Sequence, residues 1–306
     1  MPLIYSIIAP LIIISSVAVY QGEAFTAIET ARLLQNCMLI AGIGTLLQLY
    51  PIWKIGSGMP VVMGISFTFL ATCLATASQD YGIMVGAIIV GGCFEGVLGL
   101  TAKYWRKIIS PIVSACVVVS IGLSILNVGV SSFGSSSAYP LGSWQNLLVA
   151  TITLAAALSG GVFGCSPITS FSQNVGLISM THVVNRFTIM FGAPAMILGG
   201  LFPPIGAFFT TLPDCVLGGC TVIMFGSIMM SGVRMMHDAG IGQRNTLIAA
   251  TSICLGVGVT QVDGFFNELP SFIGDIFAGN MVAGVFVVGL ILDLCLPRDL
   301  SHYTSM

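Results

Sequence analysis

Charge is what this chain has least of. Lys and Arg number 9 and Asp and Glu 11 in 306 residues, or 7% charged, against roughly 25% in an ordinary soluble domain. Between Lys107 and Arg186 none of the four occurs. Such a sequence cannot clothe a surface that faces water on all sides, which excludes a soluble globular protein. Strand-like alternation of apolar and polar residues is also lacking, which argues against an outer-membrane β-barrel. The nine cysteines (Cys37, Cys73, Cys93, Cys116, Cys165, Cys215, Cys220, Cys254 and Cys295) lie scattered, mostly inside apolar runs. They form no CxxC pair and no Cys/His cluster, so neither disulfides nor a bound metal is expected. HExxH, GxSxG and paired catalytic Asp motifs are missing too, and no enzymatic activity is expected.

What the chain has instead is oil. Hydrophobic residues make up 56% and mean hydropathy is +1.02. Apolar runs recur at a length that crosses a hydrocarbon layer of about 30 Å as a helix. They predict spans at 2–21, 31–51, 58–77, 82–103, 108–130, 143–160, 173–185, 187–209, 214–235, 245–261 and 277–296. The first lacks a basic n-region and a small-residue cleavage site before Glu23, so it reads as a retained helix. No polar linker divides the chain, and 1–306 reads as a single polytopic membrane domain. The 37 glycines suit close helix packing through small residues, as at Gly86, Gly91, Gly92, Gly96 and Gly99 of the fourth span.

The few cations can be placed one by one. With the chain starting inside, Lys54, Lys103, Arg106, Lys107, Arg186, Arg234, Arg244 and Arg298 share one face, and only Arg32 falls opposite. Both termini are therefore expected in the cytoplasm. Trp53, Tyr104 and Trp105 beside Lys54, Lys103 and Arg106 form the matching aromatic belt. Asp293, near Arg298 and the interface, reads as simply solvated, and His182, His237 and His302 read as interface residues.

One polar stretch interrupts this pattern: GCSPITSFSQNVGLISMTH, from Gly164 to His182. A counterpart, MPVVMGISFTF from Met59 to Phe69, also sets a proline, Pro60 as against Pro167, a few residues ahead of a Ser-Phe pair. Prolines and glycines that break two hydrophobic segments at corresponding places in two halves point to a transporter's midplane site. The same prolines could merely kink packed helices. Gln173 and Asn174 carry the chemistry in the rear stretch. A primary amide is both donor and acceptor, so it can match the edge of a planar N-heterocycle with two hydrogen bonds; it could equally bond a neighbouring helix.

Gln173-Asn174-Val175-Gly176, followed by Thr181, resembles the signature of the nucleobase:cation symporter-2 (xanthine/uracil permease) family. GIGTLLQLYPIWKIGSGMPVVMGISFTF ahead of it and FPPIGAFFTTLPDCVLGGCTVIMFGSIMMSGVRM behind it are similar to family stretches as well. The chain departs at His182, where the family usually has Arg, Lys or Gly.

The resemblance implies an all-α integral membrane protein, an inverted-repeat transporter with broken helices in a 7+7 span arrangement, of which about eleven spans are read here. It assigns core-type spans to 1–107 and 159–235 and gate-type spans to 108–158 and 236–306. Carried over by position, Gln173 would hydrogen-bond the base and Asn174 would support that geometry. Ser66, Phe67 and Ser172 would line the pocket, with Phe67 able to stack on the ring, while Pro60, Pro167, Gly176 and Thr181 would shape the motif. Gln at 173 is similar to the xanthine and urate branch; the uracil branch usually has Glu there. The expected partners are a nucleobase, membrane lipid and a second copy of the chain as a homodimer, with no nucleic acid. No cofactor is expected, and a proton or sodium ion would couple transport at the plasma membrane.

The same comparison reveals gaps. The first span starts too late to hold the Gln-His pair that the family commonly carries there. SWQNLLVATITLAAAL resembles the sixth family span and the sequence from Ser159 the end of the ninth, so a deletion is expected near Leu158 and Ser159. It would remove the carboxylate that anchors the base in the family and takes part in proton coupling. Glu95, near the middle of the fourth span, is then the remaining deep acid. It is a candidate for coupling or for a hydrogen bond to an adjacent helix. Two functions follow: a purine-type secondary transporter, or a transport-inactive, shortened member that acts as a structural or partner subunit.

Overall fold

The computed structural model describes residues 26–52, 58, 63–64, 73, 81–105, 107–135, 139–162, 186–262, 265–266, 274, 276–277 and 280–297. The predicted spans 2–21 and 173–185, and most of 58–77, lie outside these residues. Among the described residues the regular elements are ten helices: α1 (Ala27–Leu49), α2 (Tyr81–Trp105), α3 (Pro111–Ser124), α4 (Leu126–Gly134), α5 (Trp144–Val162), α6 (Arg186–Leu201), α7 (Pro203–Thr210), α8 (Asp214–Asp238), α9 (Gln243–Gln261) and α10 (Met281–Cys295). Four stretches are long and apolar enough to cross a membrane: Ile28–Leu49, Gly82–Thr101, Pro111–Gly134 and Cys215–Asp238. The all-α, multi-pass architecture expected from composition is the architecture found.

Local chemistry explains the boundaries. A capping box starts α1 four residues ahead of the predicted span: Thr26 N–H donates to Glu29 Oε2 (2.9 Å) and Glu29 N–H to Thr26 Oγ1 (3.3 Å). The helix stops at Tyr50 because Pro51 disfavours helical backbone in the residue before it. Two predicted spans are each divided. The 108–130 span breaks at Ile125, after Ser120 and Ser124 turn their hydroxyls back onto the carbonyls of Val117 (2.8 Å) and Ile121 (2.9 Å). Such back-bonding competes with the helix ladder and bends it. The 187–209 span breaks at Phe202 because Pro203 and Pro204 have no N–H to continue α6, but suit the first turn of α7.

The chain forms two compact units, each discontinuous in sequence: Met1–Gln79 with Ile125–Ser227, and Asp80–Ser124 with Ile228–Met306. In the first, α1 packs along α6 and α7, and glycines set the approach. A Cβ on Gly200 would lie 2.8 Å from Gln35 O, and one on Gly42 3.1 Å from Ala193 O. Gly219 of α8 sits equally close to Ala150 O of α5 (2.9 Å). Asn146, at the start of α5 and 2% exposed, donates to Gly134 O (2.9 Å) and Pro140 O (3.2 Å), satisfying the last carbonyl of α4 and one of the loop after it.

In the second unit α3, α9 and α10 share a core of Ile112, Val113, Cys116, Ile248 and Val285. Ile248, Ser252 and Gly256, four residues apart, form the buried face of α9. A Cβ on Gly256 would stand 2.7 Å from Val285 N, a backbone atom that cannot swing away. Gly256→Leu is therefore expected to lower stability by about 1–3 kcal/mol or more. Gly258→Leu, where a Cβ would meet nothing within 4 Å, is the control. Thermal unfolding of the two variants in detergent checks this, and equal melting temperatures would refute it.

The fourth-span glycines behave differently from expectation. Gly86, Gly91, Gly92, Gly96 and Gly99 have no group within 4 Å of a Cβ placed on them, among the described residues. From Gly86 to Thr101 every residue of α2 is exposed. Small residues permit close approach but do not supply the neighbour, and the close packing falls to Gly42, Gly200, Gly219 and Gly256 instead.

Candidate functional site

The start of the front stretch and the end of the rear stretch adjoin the described residues at one place. Helices α1 and α6 run antiparallel, since Gln35 meets Gly200 while Tyr50 meets Met190. At the near end the Tyr50 Oη donates to Met190 Sδ (2.9 Å). The chain thus leaves α1 toward the front stretch beside the point where it enters α6 from the rear stretch. Gln173, Asn174, Ser172, Ser66, Phe67, Pro60, Pro167, Gly176 and Thr181 themselves lie outside the described residues.

Two described residues of the front connection, Gly58 and Met63, show how it is held. Gly58, with φ +69°, donates its N–H to Gln48 O (3.0 Å) in the last turn of α1. That positive φ suits glycine, which has no Cβ to clash. Met63 N–H donates to Thr45 Oγ1 (2.9 Å), while the same hydroxyl donates to Ala41 O (2.7 Å). Thr45 is fully buried. A hydroxyl can donate once and still accept, so Thr45 ties the front stretch to α1 and satisfies an amide that would cost several kcal/mol if left unpaired in a membrane interior. Sequence reasoning passed over Thr45. Its signal is a polar residue inside an apolar span, in a stretch that already resembled the family.

Glu95 is placed in the middle of α2, between Phe94 (65% exposed) and Gly96. It is itself exposed and has no hydrogen-bond or ion-pair partner among the described residues. No hydrogen bond from Glu95 to an adjacent helix is present among the described residues.

Asp293 corrects a second expectation. Far from being solvated beside Arg298, it forms an ion pair with Arg244 (Nη1 to Oδ1, 3.0 Å) with side chains 10% and 17% exposed. Arg244 also donates from Nη2 to Asp293 O (2.6 Å) and Leu296 O (3.3 Å). A cation at the C-terminus of α10 satisfies carbonyls that have no partner in the helix and offsets the negative end of its dipole. The expected role fits His237, which is exposed at the end of α8 beside Asp238 (3.7 Å).

Comparison with known proteins agrees with this reading. A family model described as the permease family matches residues 4–160 and 156–265. The xanthine permease XanQ of Escherichia coli strain K12 is 26% identical over 396 residues, covering 89% of this chain and 85% of that protein. The xanthine permease of Bacillus subtilis strain 168 is 27% identical over 395 residues, covering 92% and 88%. The xanthine permease XanP of E. coli K12 is 24% identical over 413 residues, covering 94% and 89%. Each alignment is longer than the 306 residues of this chain, so these relatives carry sequence that it lacks. The two family matches meet at 156–160, next to the junction read at Leu158 and Ser159. Spans, signature and matched length together place the chain in the permease family, the nucleobase:cation symporter-2 family.

Proposed function

We propose that this protein is a secondary transporter of a purine base such as xanthine or urate, with uracil the lesser candidate, driven by a co-transported proton or sodium ion across the plasma membrane. The signature Gln173-Asn174-Val175-Gly176 within the matched residues carries the reading. The relatives' names support a purine. The junction of α1 and α6, where the two broken stretches adjoin the fold, supports a site built from both. In this site the Gln173 amide reads the edge of the base, Asn174 holds that amide in place, and Ser66, Phe67 and Ser172 line the pocket. Phe67 stacks on the ring. Glu95 is the acid left to take part in coupling. The chain works as a homodimer with both termini in the cytoplasm.

Two family matches that overlap at 156–160, with alignments to relatives longer than the chain, favour a second reading, in which the chain no longer transports and serves as a partner subunit. Uptake of labelled xanthine, urate and uracil into cells without permeases of their own separates the two. The transporter reading expects saturable uptake of xanthine or urate above vector-only cells. No uptake, with the protein present in the membrane at normal abundance, leaves the subunit reading.

A further inference from the structure

The second unit contains a cavity of about 680 Å³ where the α2–α3 turn meets the start of α9 and the end of α10. Lys107, Ser110 and Arg244 line it together with Asp293, and Ile108 and Leu296 supply apolar wall. Three observations give it a chemistry. Ser110 stands just before Pro111, at the position whose side chain ordinarily caps the first amides of a helix, yet its buried Oγ makes no hydrogen bond among the described residues. Lys107 is exposed and has no ion-pair partner among them. Arg244 commits Nε, Nη2 and one Nη1 N–H to Asp293 and Leu296, which leaves one Nη1 N–H unspent of its five donors.

An orphan serine hydroxyl alone would mean little. Ser143, ahead of α5, has one as well, and it does not line this cavity. At Ser110 the hydroxyl, an unspent guanidinium N–H, a free ammonium and the positive end of the 14-residue α3 converge. Among the described lining residues, with Asp293 balancing Arg244, Lys107 leaves one unit of positive charge. Donors around a helix N-terminus with a single net positive charge match a phosphate monoanion. The setting selects its source: the wall is partly apolar and lies between the end of α2 and the start of α3, which both belong to stretches long and apolar enough to cross a membrane, as basic clefts for anionic lipid do.

We propose that this cavity binds the phosphodiester headgroup of an anionic phospholipid of the phosphatidylglycerol type, with Lys107 and Ser110 as its principal contacts. The assignment is independent of what the protein carries. Its test uses the full chain purified in detergent and titrated with short-chain phosphatidylglycerol, short-chain phosphatidylcholine or inorganic phosphate, read by native mass spectrometry and melting temperature. Phosphatidylglycerol should be retained and raise the melting temperature, with phosphatidylcholine and phosphate doing neither. Lys107→Ala should weaken phosphatidylglycerol binding about fivefold and Lys107→Arg should preserve it. Ser110→Ala should weaken it further in the Lys107→Ala background. Because Lys107 is exposed, its variants fold, and a lost effect cannot come from a collapsed core. Equal binding of the two lipids, unchanged affinity in Lys107→Ala, or displacement of the lipid by phosphate alone at matched concentration would each overturn the assignment.

Discussion

Replacing Gln173 with alanine is expected to reduce purine uptake to background in cells where the parent protein transports it. In the proposed site Gln173 is the amide that reads the base, donating and accepting along a single edge of it, while Asn174 supports that geometry. In the proposed site, removing it would leave a donor and an acceptor of the base unpaired. Each stranded group costs about 1–3 kcal/mol, so losing two corresponds to at least about a 30-fold drop in transport at low substrate. Gln173→Glu keeps the shape and an acceptor but loses the donor, and should retain more activity than alanine while shifting the preference among xanthine, urate and uracil. Initial rates at matched membrane abundance provide the measurement. Unchanged transport in the alanine variant would remove Gln173 from the site.

Loss of Arg244 should be the most damaging change to stability within the second unit. Arg244→Ala would leave Asp293, 10% exposed, without its counter-charge and strip the carbonyls of Asp293 and Leu296 of their donor. Breaking one side of a buried ion pair typically costs about 3–5 kcal/mol, enough to lower the melting temperature well beyond error and to broaden the size-exclusion profile. Lys should not rescue it, because an ammonium cannot reproduce the planar fork that meets a carboxylate and two carbonyls together. The exposed His237–Asp238 pair (3.7 Å) provides the contrast: solvent screening leaves such pairs nearly worthless, and Asp238→Asn should behave like the parent. If Arg244→Ala melts alongside Asp238→Asn, the pair has no structural role.

Helix content and approximate span positions could be read from the sequence because hydrocarbon length imposes a coarse, strong constraint. Finer features depended on local chemistry. The Thr26-x-x-Glu29 box and the Pro203-Pro204 pair were written in the sequence and could have fixed the start of α1 and the break before α7. The break at Ile125 was not, since serines at 120 and 124 occur in many straight helices and only their rotamers bend this one. Partner choice was least legible. Asp293 has Arg298 close by in sequence and Arg244 close by in space, and a one-dimensional pattern favours the former. The same holds for the glycines of α2, whose spacing suits packing, whereas close packing uses Gly42, Gly200 and Gly256. The candidate site was legible as a motif, Gln173 to Thr181, and Thr45 as its support emerged only from the hydrogen bond to Met63.

The contact between Tyr50 and Met190 spans 140 positions of chain. A ribosome adding roughly 5–20 residues per second needs about 7–28 s to cover that distance. Throughout that interval α1 must reside in the bilayer without α6, held by its own 22-residue apolar stretch and by the Thr26–Glu29 cap at its N-terminus. Its partner-facing side, with Gly42 and the buried Thr45, stays open to lipid or to the insertion machinery until α6 arrives. Helix association in membranes follows insertion of independently stable spans, and here the order is fixed by geometry: the front stretch can be tethered through Thr45 before the rear stretch has left the ribosome. Assembly of this region therefore runs from the N-terminal side, and a translational pause between residues 50 and 190 would lengthen the period in which α1 waits unpaired.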